Sequence, residues 1–436
     1  MKSIIRNVLF PMHERLKHHT TIEQHRELER VQWLAPEEIR RIQREKLGRF
    51  LETVKGTVPH YRGIPTSPEQ FSAIPFTTKA IIRANTDAFK AAGAQRLTRF
   101  NTGGSSGEPL IFYLGKQRIS ADVAAKLRAT RWWGVDIGDR EAVIWGAPVE
   151  LSKQDRIREL RDRIFQTKLL SAFDMTEETM TAYLAFLREY RPKQVFGYPS
   201  SISLLCDVAK RKNIRLDDLG VKVVFCTAER LYDHQRQTIA EAFGAPVANG
   251  YGSRDGGFIA HECPEGRLHV TDENILLEIL DEQGNPVPKG VAGEMVVTHL
   301  ESHEFPFIRY RTGDVGVLSD ERCPCGRGLT VLKSVEGRAT DFIVTPSRKV
   351  LHGLALIYKV RDTVGVEAFK IVQEDYDRIT LYLVVNGSFT PRCEEEIRKD
   401  WDRRLDNEVA VQIEYVERIP PEKSGKFRYV ASKVTV

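Results

Sequence analysis

Apolar residues recur every three or four positions between residues 22 and 56, and most positions between them are charged or polar. Leu28, Val31, Ile39 and Leu47 belong to this series. A period close to that of the α-helix predicts amphipathic helix. We expect this segment to be scaffold and not part of a functional site.

The pattern changes between about residues 95 and 335, where short apolar runs alternate with amphipathic stretches. The apolar runs are typical of buried strands and lie at 142–146, 194–199, 221–226 and 246–252. Amphipathic stretches at 177–190 and 201–212 predict helices between them. This alternation predicts α/β units around a mostly parallel sheet.

The rest of the chain predicts two different architectures. Residues 268–317 are strand-rich with turn residues between the strands, which indicates a β subdomain built from hairpins. After Gly337-Arg338 the order is β-β-α-β, which indicates a small α+β domain. The predicted fold class is therefore α/β, with a large multi-subdomain N-terminal domain, residues 1–338, and a small C-terminal domain, residues 339–436.

Composition excludes several classes of protein. The chain has 436 residues, 41% of them hydrophobic, which suits a folded globular protein. Lys and Arg total 65 against 60 Asp and Glu, and the net charge of +5 does not indicate a nucleic-acid partner. No apolar stretch reaches the ~18 residues of a spanning helix, so no membrane span is expected.

The N-terminal segment and the cysteines give expectations about the cellular location of the protein. An apolar run near the N-terminus is broken at Arg6 and Pro11 and is followed by no small-residue cleavage site, so secretion is not expected. A solvated arm is the simple interpretation of this segment, and association of its first dozen residues with a surface is the alternative. The six cysteines fit reduced thiols or a metal site better than disulfides, which favours a cytoplasmic location.

A glycine- and hydroxyl-rich stretch, residues 101–109, is a candidate phosphate loop. Its backbone N–H groups can approach a polyphosphate closely and its hydroxyls can donate hydrogen bonds. The stretch is not a Walker A loop, and its flanks predict two strands of a hairpin. An ordinary turn is the alternative. The candidate residues are Thr102, Gly103, Gly104, Ser105, Ser106 and Gly107.

Two further loops contain acidic side chains with possible roles. Residues 248–257 follow an apolar run and place Asp255 where a sheet of this class binds ligands, so its carboxylate is a candidate magnesium ligand. Residues 309–314 end in Asp314, which could accept hydrogen bonds from two ribose hydroxyls; a plain turn between strands is the alternative.

Two basic segments lie near the predicted domain boundary and the C-terminus. Residues 335–341 contain Arg338 beside acidic residues and could serve as a hinge. Residues 423–428 place Lys426 on a flexible turn, where simple solvation is the alternative.

The order of these loops resembles the adenylate-forming superfamily of acyl-CoA synthetases and nonribosomal-peptide adenylation domains. TGGSSGEP is similar to its phosphate loop, NGYGSRDGG to its aromatic-Gly-x-Thr-Glu loop, RYRTGD to its ribose loop, GRATD to its hinge and SGKFR to its catalytic-lysine loop. With IPFTTK at 74–79 and FGYPS at 196–200, the resemblance is strongest to the branch of phenylacetate-CoA ligase and the capsular-polysaccharide adenylyltransferase-like proteins.

The resemblance implies an AMP-forming ligase that uses ATP and Mg²⁺ to activate a carboxylic acid as an acyl-adenylate. It implies that Ser105 and Ser106 hold phosphates, that Asp314 binds the ribose, and that Lys426 bridges the carboxylate and the α-phosphate from a mobile small domain. Arg338 would steady the nucleotide. The remaining nucleotide-binding residues implied by the resemblance are Ala228, Glu229, Arg230, Asn249, Tyr251, Gly252, Ser253 and Arg254. Phe196, Tyr198 and Ala228 are candidates for the acyl pocket, although buried aromatic residues are also typical of a core.

The sequence departs from the family pattern at two places. Arg254-Asp255 stands where the family usually has Thr-Glu, so a guanidinium replaces a hydroxyl and the carboxylate is one methylene shorter. Arginine binds phosphate well, so activity can survive. In the hinge, Thr340 precedes Asp341 where two acids are usual.

Cysteine and histidine residues form a separate candidate site. His261, Cys263, Cys323 and Cys325 offer one imidazole and three thiolates, a set suited to structural Zn²⁺. Similar Cys-Pro-Cys-Gly-Arg segments occur in the family branch. Buried free thiols, with His261 or His269 hydrogen-bonded nearby, are the alternative.

These observations give one leading function and two alternatives. The leading function is activation of a carboxylic acid, with aromatic acids among the candidates, and its transfer to coenzyme A. The first alternative passes the acyl group to an amine, sugar or carrier protein. The second is a nucleotide-binding regulatory protein without catalysis, prompted by Arg254-Asp255. The sequence names neither the acid nor the acceptor, and a monomer and a homodimer are both compatible with it.

Overall fold

A computed structural model describes residues 1–101, 110–146, 155–172, 175–281, 283–338, 342–347, 350–352, 354–419 and 429–434. Its helices are α1 (Lys2–Ile4), α2 (Phe10–Leu16), α3 (Thr21–Val31), α4 (Pro36–Thr57), α5 (Lys79–Ala84), α6 (Lys116–Arg131), α7 (Asp155–Ile164), α8 (Glu177–Tyr190), α9 (Pro199–Arg211), α10 (Asp233–Phe243), α11 (Leu354–Arg361) and α12 (Pro391–Arg404). A π-helical turn, Ile5–Leu9, joins α1 to α2.

The strands of the described residues fall into four sheets. They are β1 (Thr98–Asn101), β2 (Ile111–Leu114), β3 (Glu141–Trp145), β4 (Thr167–Ser171), β5 (Gln194–Gly197), β6 (Val223–Thr227), β7 (Val247–Ser253), β8 (Gly257–Glu262), β9 (Leu268–Val270), β10 (Ile275–Leu280), β11 (Ala292–His299), β12 (Tyr310–Leu318), β13 (Val331–Arg338), β14 (Phe342–Val344), β15 (Val350–His352), β16 (Val366–Asp375), β17 (Arg378–Val385), β18 (Ala410–Tyr415) and β19 (Val430–Ser432).

The largest sheet has eleven strands in the order β10-β11-β12-β13-β9-β8-β7-β6-β5-β3-β4. The part from β4 to β7 is parallel, with helices in the connections. From β7 onward the pairs β7-β8, β8-β9, β9-β13 and β10-β11 are antiparallel. The predicted α/β class, with parallel units followed by a strand-rich part, is confirmed.

The helix predicted over residues 22–56 is two helices, α3 and α4, and that prediction was wrong in its continuity. The chain turns at residues 32–35, and Pro36 begins α4. Proline has no N–H to donate to a preceding turn, so it is favoured where a helix begins and disfavoured inside one. The apolar period continues across the break because both helices bury the same kind of face.

The core of the parallel part forms where helices pack against the buried strands. Leu184, Ile202, Leu205 and Val224 are fully buried in one cluster of apolar side chains. All residues of β5 and β6 are buried, as expected for inner strands of a parallel sheet. The sheet is therefore a rigid base, and the loops that leave it are held in place.

The chain divides into two compact units, residues Met1–Thr312 with Gly316–Val335, and residues Gly313–Val315 with Glu336–Val436. The second unit contains a four-stranded sheet, β18-β17-β16-β19. In α12, Trp401 is fully buried and its indole N–H donates to the carbonyl of Leu356 at 3.2 Å. Within the described part of the chain, no helix is both long and apolar enough to cross a bilayer.

Candidate active site

The hairpin between β7 and β8 carries Asp255 into the protein interior. Only 5% of this residue is exposed. Its Oδ2 accepts a hydrogen bond from the Tyr310 hydroxyl at 2.6 Å, and its Oδ1 accepts one from the N–H of Gly256 at 3.1 Å. A carboxylate oxygen can accept more than one hydrogen bond, so neither contact prevents Asp255 from binding a cation.

Asp255 keeps its negative charge although it is buried. Burial by itself raises the pKa of a carboxyl group. Here the positive charge of Lys79 and the hydrogen bonds from Ser253 and Tyr310 outweigh burial, and the pKa of Asp255 is lowered. The side chain is therefore an anion at neutral pH, as a cation ligand must be.

A buried ionic network, which the sequence did not reveal, holds the Asp255 turn. In α6, the Arg118 side chain is fully buried, binds Asp122 at 2.8 Å and donates to the carbonyl of Asp255 at 3.2 Å. Asp122 also accepts from the N–H of Phe258 and lies 3.4 Å from His299. The only available signal was the four-residue spacing of Arg118 and Asp122, which is common on helices.

Gly257 allows this network to approach the turn. Its φ is +93°, and a Cβ atom at this position would lie 2.7 Å from both Arg118 Nη2 and His299 Cδ2. A side chain here would have to displace buried groups in a backbone conformation that L-residues rarely adopt. Glycine is therefore needed both for the backbone conformation and for the close packing.

Backbone contacts bring two other sequence motifs to the same place. The N–H of Thr77 donates to the carbonyl of Arg309 at 3.0 Å, and the N–H of Arg311 donates to the carbonyl of Thr77 at 3.0 Å. Thr78 caps the helix that begins at Lys79. The segment at 74–79 thus lies beside the start of β12, which contributes Tyr310 to Asp255.

Arg254 lies near the end of β1, the strand that precedes the candidate phosphate loop in the sequence. Its Nη1 lies 3.5 Å from the carbonyl of Asn101, the last residue of β1. Strands β1 and β2 pair antiparallel with Asn101 opposite Ile111, as predicted for the two flanks. Residues Thr102, Gly103, Gly104, Ser105, Ser106 and Gly107 lie outside the described residues.

The structure describes some of the other predicted residues and not the rest. Asp314 is half-buried within β12, so the ribose segment that was expected as a loop or turn is a strand. Arg309, directly before β12, is a buried structural residue that binds Glu278 and the carbonyls of Ser72 and Ile74. Arg338 ends β13, but Thr340, Asp341 and Lys426 lie outside the described residues.

The segment 228–230 follows β6 at the carboxyl end of the parallel strands. Ala228 has φ +68°, a left-handed conformation that is costly for a residue with a Cβ atom. Glu229 accepts a hydrogen bond from the N–H of Ser200, near the start of α9, at 3.2 Å. Backbone strain of this kind is often found at ligand sites, which supports the assignment of Ala228, Glu229 and Arg230 to the nucleotide site.

Asn249 lies beside a small polar cavity. Its N–H donates to Glu262 at 2.7 Å, and Arg236 binds the same carboxylate oxygen at 2.8 Å. The cavity has a volume of about 210 Å³, and Arg267 and Lys333 add two positive charges to its lining. Tyr251, two residues further along β7, packs against the apolar cluster on the neighbouring strands. Gly252 and Ser253 complete the strand, so the predicted loop at 248–253 is largely extended.

The aromatic residues proposed for the acyl pocket are buried in two different clusters. Tyr198 stacks on Trp145 with ring centroids 4.3 Å apart, and Phe196 stacks on Phe225 at 5.7 Å. Trp145 also lies 6.2 Å from Phe196, so it links the two aromatic side chains. Sequence reasoning did not single out Trp145, although it ends the apolar run of β3.

The structure assembles a cysteine and histidine cluster from Cys263, His269, Cys323 and Cys325. Their ligand atoms all lie within 4.8 Å of one another. Cys263 Sγ is 3.6 Å from Cys323 Sγ, and Cys325 Sγ is 3.3 Å from His269 Nε2. A tetrahedral Zn²⁺ ion with sulfur ligands at ~2.3 Å would separate two sulfurs by ~3.8 Å. The donor set and its spacing therefore fit Zn²⁺.

His261, the predicted fourth member, is not part of the cluster; His269 takes its place. The two histidines are opposite each other on β8 and β9, but β13 pairs with β9, so the segment 323–325 that leads into β13 approaches β9. His261 is one strand further away and stacks on Phe258 at 5.2 Å. Burial lowers the pKa of His261 to about 3, so it is a neutral core histidine.

Known proteins show similarity along most of the chain. Residues 167–300 match the AMP-binding enzyme family and residues 343–433 match the CapK C-terminal domain. Protein CapK of Staphylococcus aureus is 26% identical over 83% of this chain and 80% of its own. Phenylacetate-coenzyme A ligase of Thermus thermophilus is 25% identical over 72% of this chain and 73% of its own. Among solved structures, a 2-hydroxyisobutyryl-CoA ligase with bound acyl-AMP superposes with a TM-score of 0.74, at 19% identity, over 93% of this chain and 91% of its own.

The fold, the motif order and these matches agree. Together they support the adenylate-forming superfamily of AMP-forming ligases. Within that superfamily, the similarity is to CapK and to the phenylacetate-coenzyme A ligases.

Proposed function

We propose that the protein activates a carboxylic acid with ATP, releases pyrophosphate, and transfers the acyl group from the acyl-adenylate to coenzyme A. The observation that carries this proposal is the assembly around Asp255. The Tyr310 hydroxyl donates to its carboxylate, the charge of Lys79 favours its ionised form, and Arg254 Nη1 lies 3.5 Å from the carbonyl of Asn101 at the end of β1. Coenzyme A is the proposed acceptor because the relatives of this chain include phenylacetate-coenzyme A ligases.

In this function, the residues around Asp255 would help to neutralise the negative charge of the substrates. The acid and the triphosphate repel each other, so cations and N–H donors must neutralise both along the reaction path. We assign Asp255 to Mg²⁺ binding; when bound, Mg²⁺ neutralises phosphate charge. Arg254 supplies a guanidinium where relatives usually have a hydroxyl, and Arg can bind phosphate through two parallel hydrogen bonds.

The remaining assignments rest on the resemblance alone. Residues 102–107 would hold the β- and γ-phosphates, and Asp314 the ribose hydroxyls. Lys426 would bridge the carboxylate and the α-phosphate. Arg338 would steady the nucleotide. Tyr251 and Asn249 would lie near the adenine, and Phe196, Tyr198 and Ala228 would contact the acyl group.

Two alternatives differ in what happens after or instead of adenylation. An amine, a sugar or a carrier protein could replace coenzyme A as the acceptor. A regulatory protein could bind ATP without activating any acid. An ionised Asp255 suits the binding of Mg²⁺ and ATP in both cases, so a measurement of adenylation has to separate catalysis from binding.

Exchange of labelled pyrophosphate into ATP tests the proposal across a panel of aromatic and aliphatic acids. We expect exchange with at least one acid and consumption of coenzyme A with that acid. Exchange without consumption of coenzyme A would move the function to the other acceptors. ATP binding by calorimetry without exchange, for a panel extended to hydroxy acids and amino acids, would favour the regulatory alternative.

We also propose that Cys263, His269, Cys323 and Cys325 hold a structural Zn²⁺ ion. Three thiolates and one imidazole fill a tetrahedral shell, so no position remains for a catalytic water. The ion would tie the β8–β9 hairpin to the segment before β13. Six free cysteines among the described residues also support the proposed cytoplasmic location, since reducing compartments favour thiols.

A further inference from the structure

The N-terminal helical segment, Lys2–Leu16, exposes a line of apolar side chains. Ile4, Val8, Met12 and Leu16 follow one another at intervals of four residues, and each is more than half exposed. Met1, ahead of the segment, is exposed too. Large apolar side chains that face water in one continuous line indicate an interaction surface.

The opposite side of the same segment is fixed to the body of the protein. Ile5 is fully buried and packs against Gly138. The contact is close, because a Cβ atom added to Gly138 would lie 3.0 Å from the carbonyl oxygen of Lys2. Lys2 pairs with Asp139 at 2.6 Å and Arg6 with Asp136 at 3.1 Å. The segment is therefore apolar on two sides, and its contacts with the body determine which side faces outward.

The π-helical turn keeps the exposed line straight. Residues spaced by four drift around an ideal α-helix, which has 3.6 residues per turn. The π-helical turn at Ile5–Leu9 has more residues per turn and offsets this drift. Ile4, Val8 and Met12 consequently stay on one side across the junction of α1 and α2.

Helix α7 carries two further exposed apolar residues near α2. The ring of Phe165, which follows α7, packs against the rings of Phe10 and His13, with centroids 5.7 Å and 5.1 Å apart. The end of α7 therefore lies beside α2. Leu160 and Ile164 of α7 are exposed. Met1 and these two segments together contain seven of the thirteen exposed large apolar residues in the described part of the chain: Met1, Ile4, Val8, Met12, Leu16, Leu160 and Ile164.

Exposed basic side chains flank the exposed line. The acid in residues 1–19, Glu14, is buried and bound by His13, His19 and Thr21. Arg15 and Lys17 are exposed next to Leu16, and Lys2 and Arg6 remain almost half exposed despite their ion pairs. Arg163 is exposed next to Ile164.

We propose that this surface binds the face of an anionic membrane, with the N-terminal helix lying in the plane of the interface. An exposed apolar line flanked by Lys and Arg is the pattern of interfacial helices on anionic lipids. A protein partner is less suited, because buried protein interfaces rely on aromatic anchors, and the exposed line here contains none. Such binding requires no spanning helix.

Vesicle flotation with the full chain tests the proposal. We expect binding to vesicles of phosphatidylcholine mixed with phosphatidylglycerol, weaker binding to phosphatidylcholine alone, and loss of binding at high salt. The Val8→Gln/Met12→Gln variant should bind at least about tenfold more weakly, because two apolar side chains no longer enter the lipid. Arg15→Gln/Lys17→Gln should lose only the preference for anionic lipid.

A matched control is Leu204→Gln/Val364→Gln, which changes two exposed apolar residues elsewhere. It should bind like the unaltered protein, and all variants should keep their melting temperature and pyrophosphate exchange. Absence of binding to anionic vesicles would overturn the proposal, as would equal binding by Val8→Gln/Met12→Gln. A concentration-dependent dimer that this variant abolishes would show that a second copy of the chain occupies the surface, which would also overturn it.

Discussion

Asp255 and Tyr310 form a buried pair in which the hydroxyl donates to a carboxylate that stays ionised. Replacing Asp255 by Asn keeps the shape and removes the charge. We expect pyrophosphate exchange to fall by about 10²-fold or more, since charge stabilisation in a water-poor site is worth several kcal/mol. Tyr310→Phe removes one hydrogen bond and should cost only about tenfold.

The control is Asp320→Asn, which changes an exposed aspartate. Circular dichroism and melting temperature establish that each variant is folded. If Asp255→Asn retained full exchange at low Mg²⁺ concentration, the assignment of this carboxylate to cation binding would be wrong.

Asp272 makes the stability of the protein depend on pH. Burial raises its pKa to about 7, and the negative charge of Glu273 adds to the rise, against the opposing effects of Thr330 and Arg128. The unfolded chain has an ordinary aspartate with a pKa of ~3.9. Between these two values the folded state binds a proton that the unfolded state lacks, so stability is highest below about pH 4 for this group and falls as pH rises to 7.

Asp272→Asn should remove this contribution. We expect the melting temperature of the variant, relative to that of the unaltered protein, to increase as pH is raised from about 5 to about 8. Scanning calorimetry at several pH values measures the difference. A difference in melting temperature that does not change with pH would contradict a raised pKa at Asp272.

Strand β9 contributes His269 to the cysteine cluster, and this gives a test that separates two neighbouring histidines. His269→Asn and Cys325→Ser should each lose the metal, while His261→Asn, altered at the opposite position on β8, should keep it. A structural metal contributes its binding energy to folding, so the first two variants should also melt at lower temperature.

Elemental analysis of protein prepared without a histidine tag gives the zinc content per chain. About one equivalent is expected, and Cys393→Ser, which changes a cysteine of the second unit, should not alter it. Zinc-free protein with all four side chains reactive would mean that the cluster is only packing.

Local patterns in the sequence predicted an element correctly where the residues of that element alone determine its structure. Helix α8 spans the residues that its amphipathic period predicted, and the β-β-α-β order of the C-terminal part is present as β16, β17, α12 and β18. The break between α3 and α4 was missed because Pro36 fits the start of a helix as well as it disrupts one. The short elements β14, β15 and α11 carry too few residues for a period to show.

Contacts between distant segments could not be read from spacing. His261 and His269 were both available beside Cys263, and only the pairing of β13 with β9 decides between them. The support of Asp255 by Arg118 and Asp122 likewise depends on how α6 packs against the hairpin. Motif order predicts the loops of the candidate site, whereas the contacts among those that the structure describes came from the fold.

At the scale of the whole chain, the division into two units bears on Lys426, which the resemblance assigns to the small domain. We predict that Lys426→Ala suppresses adenylation by about 10²-fold or more through lost charge stabilisation. Transfer from a supplied acyl-adenylate should suffer far less, because the role proposed for Lys426 belongs to the first step alone. Pyrophosphate exchange and thioester formation measure the two half-reactions separately, and equal losses in both would refute the assignment.

The strand order of the large sheet has a consequence for synthesis on the ribosome. Strand β13 lies between β9 and β12, so it joins the β10–β12 part of the sheet to the rest. Until residues 331–338 emerge, β9 has an edge of unpaired N–H and C=O groups, which is a template for association between nascent chains. The pairing that closes the sheet is non-local and therefore slow. Substitutions that weaken β13 are expected to lower the yield of folded protein and increase its dependence on chaperones before they alter the melting temperature of molecules that have already folded.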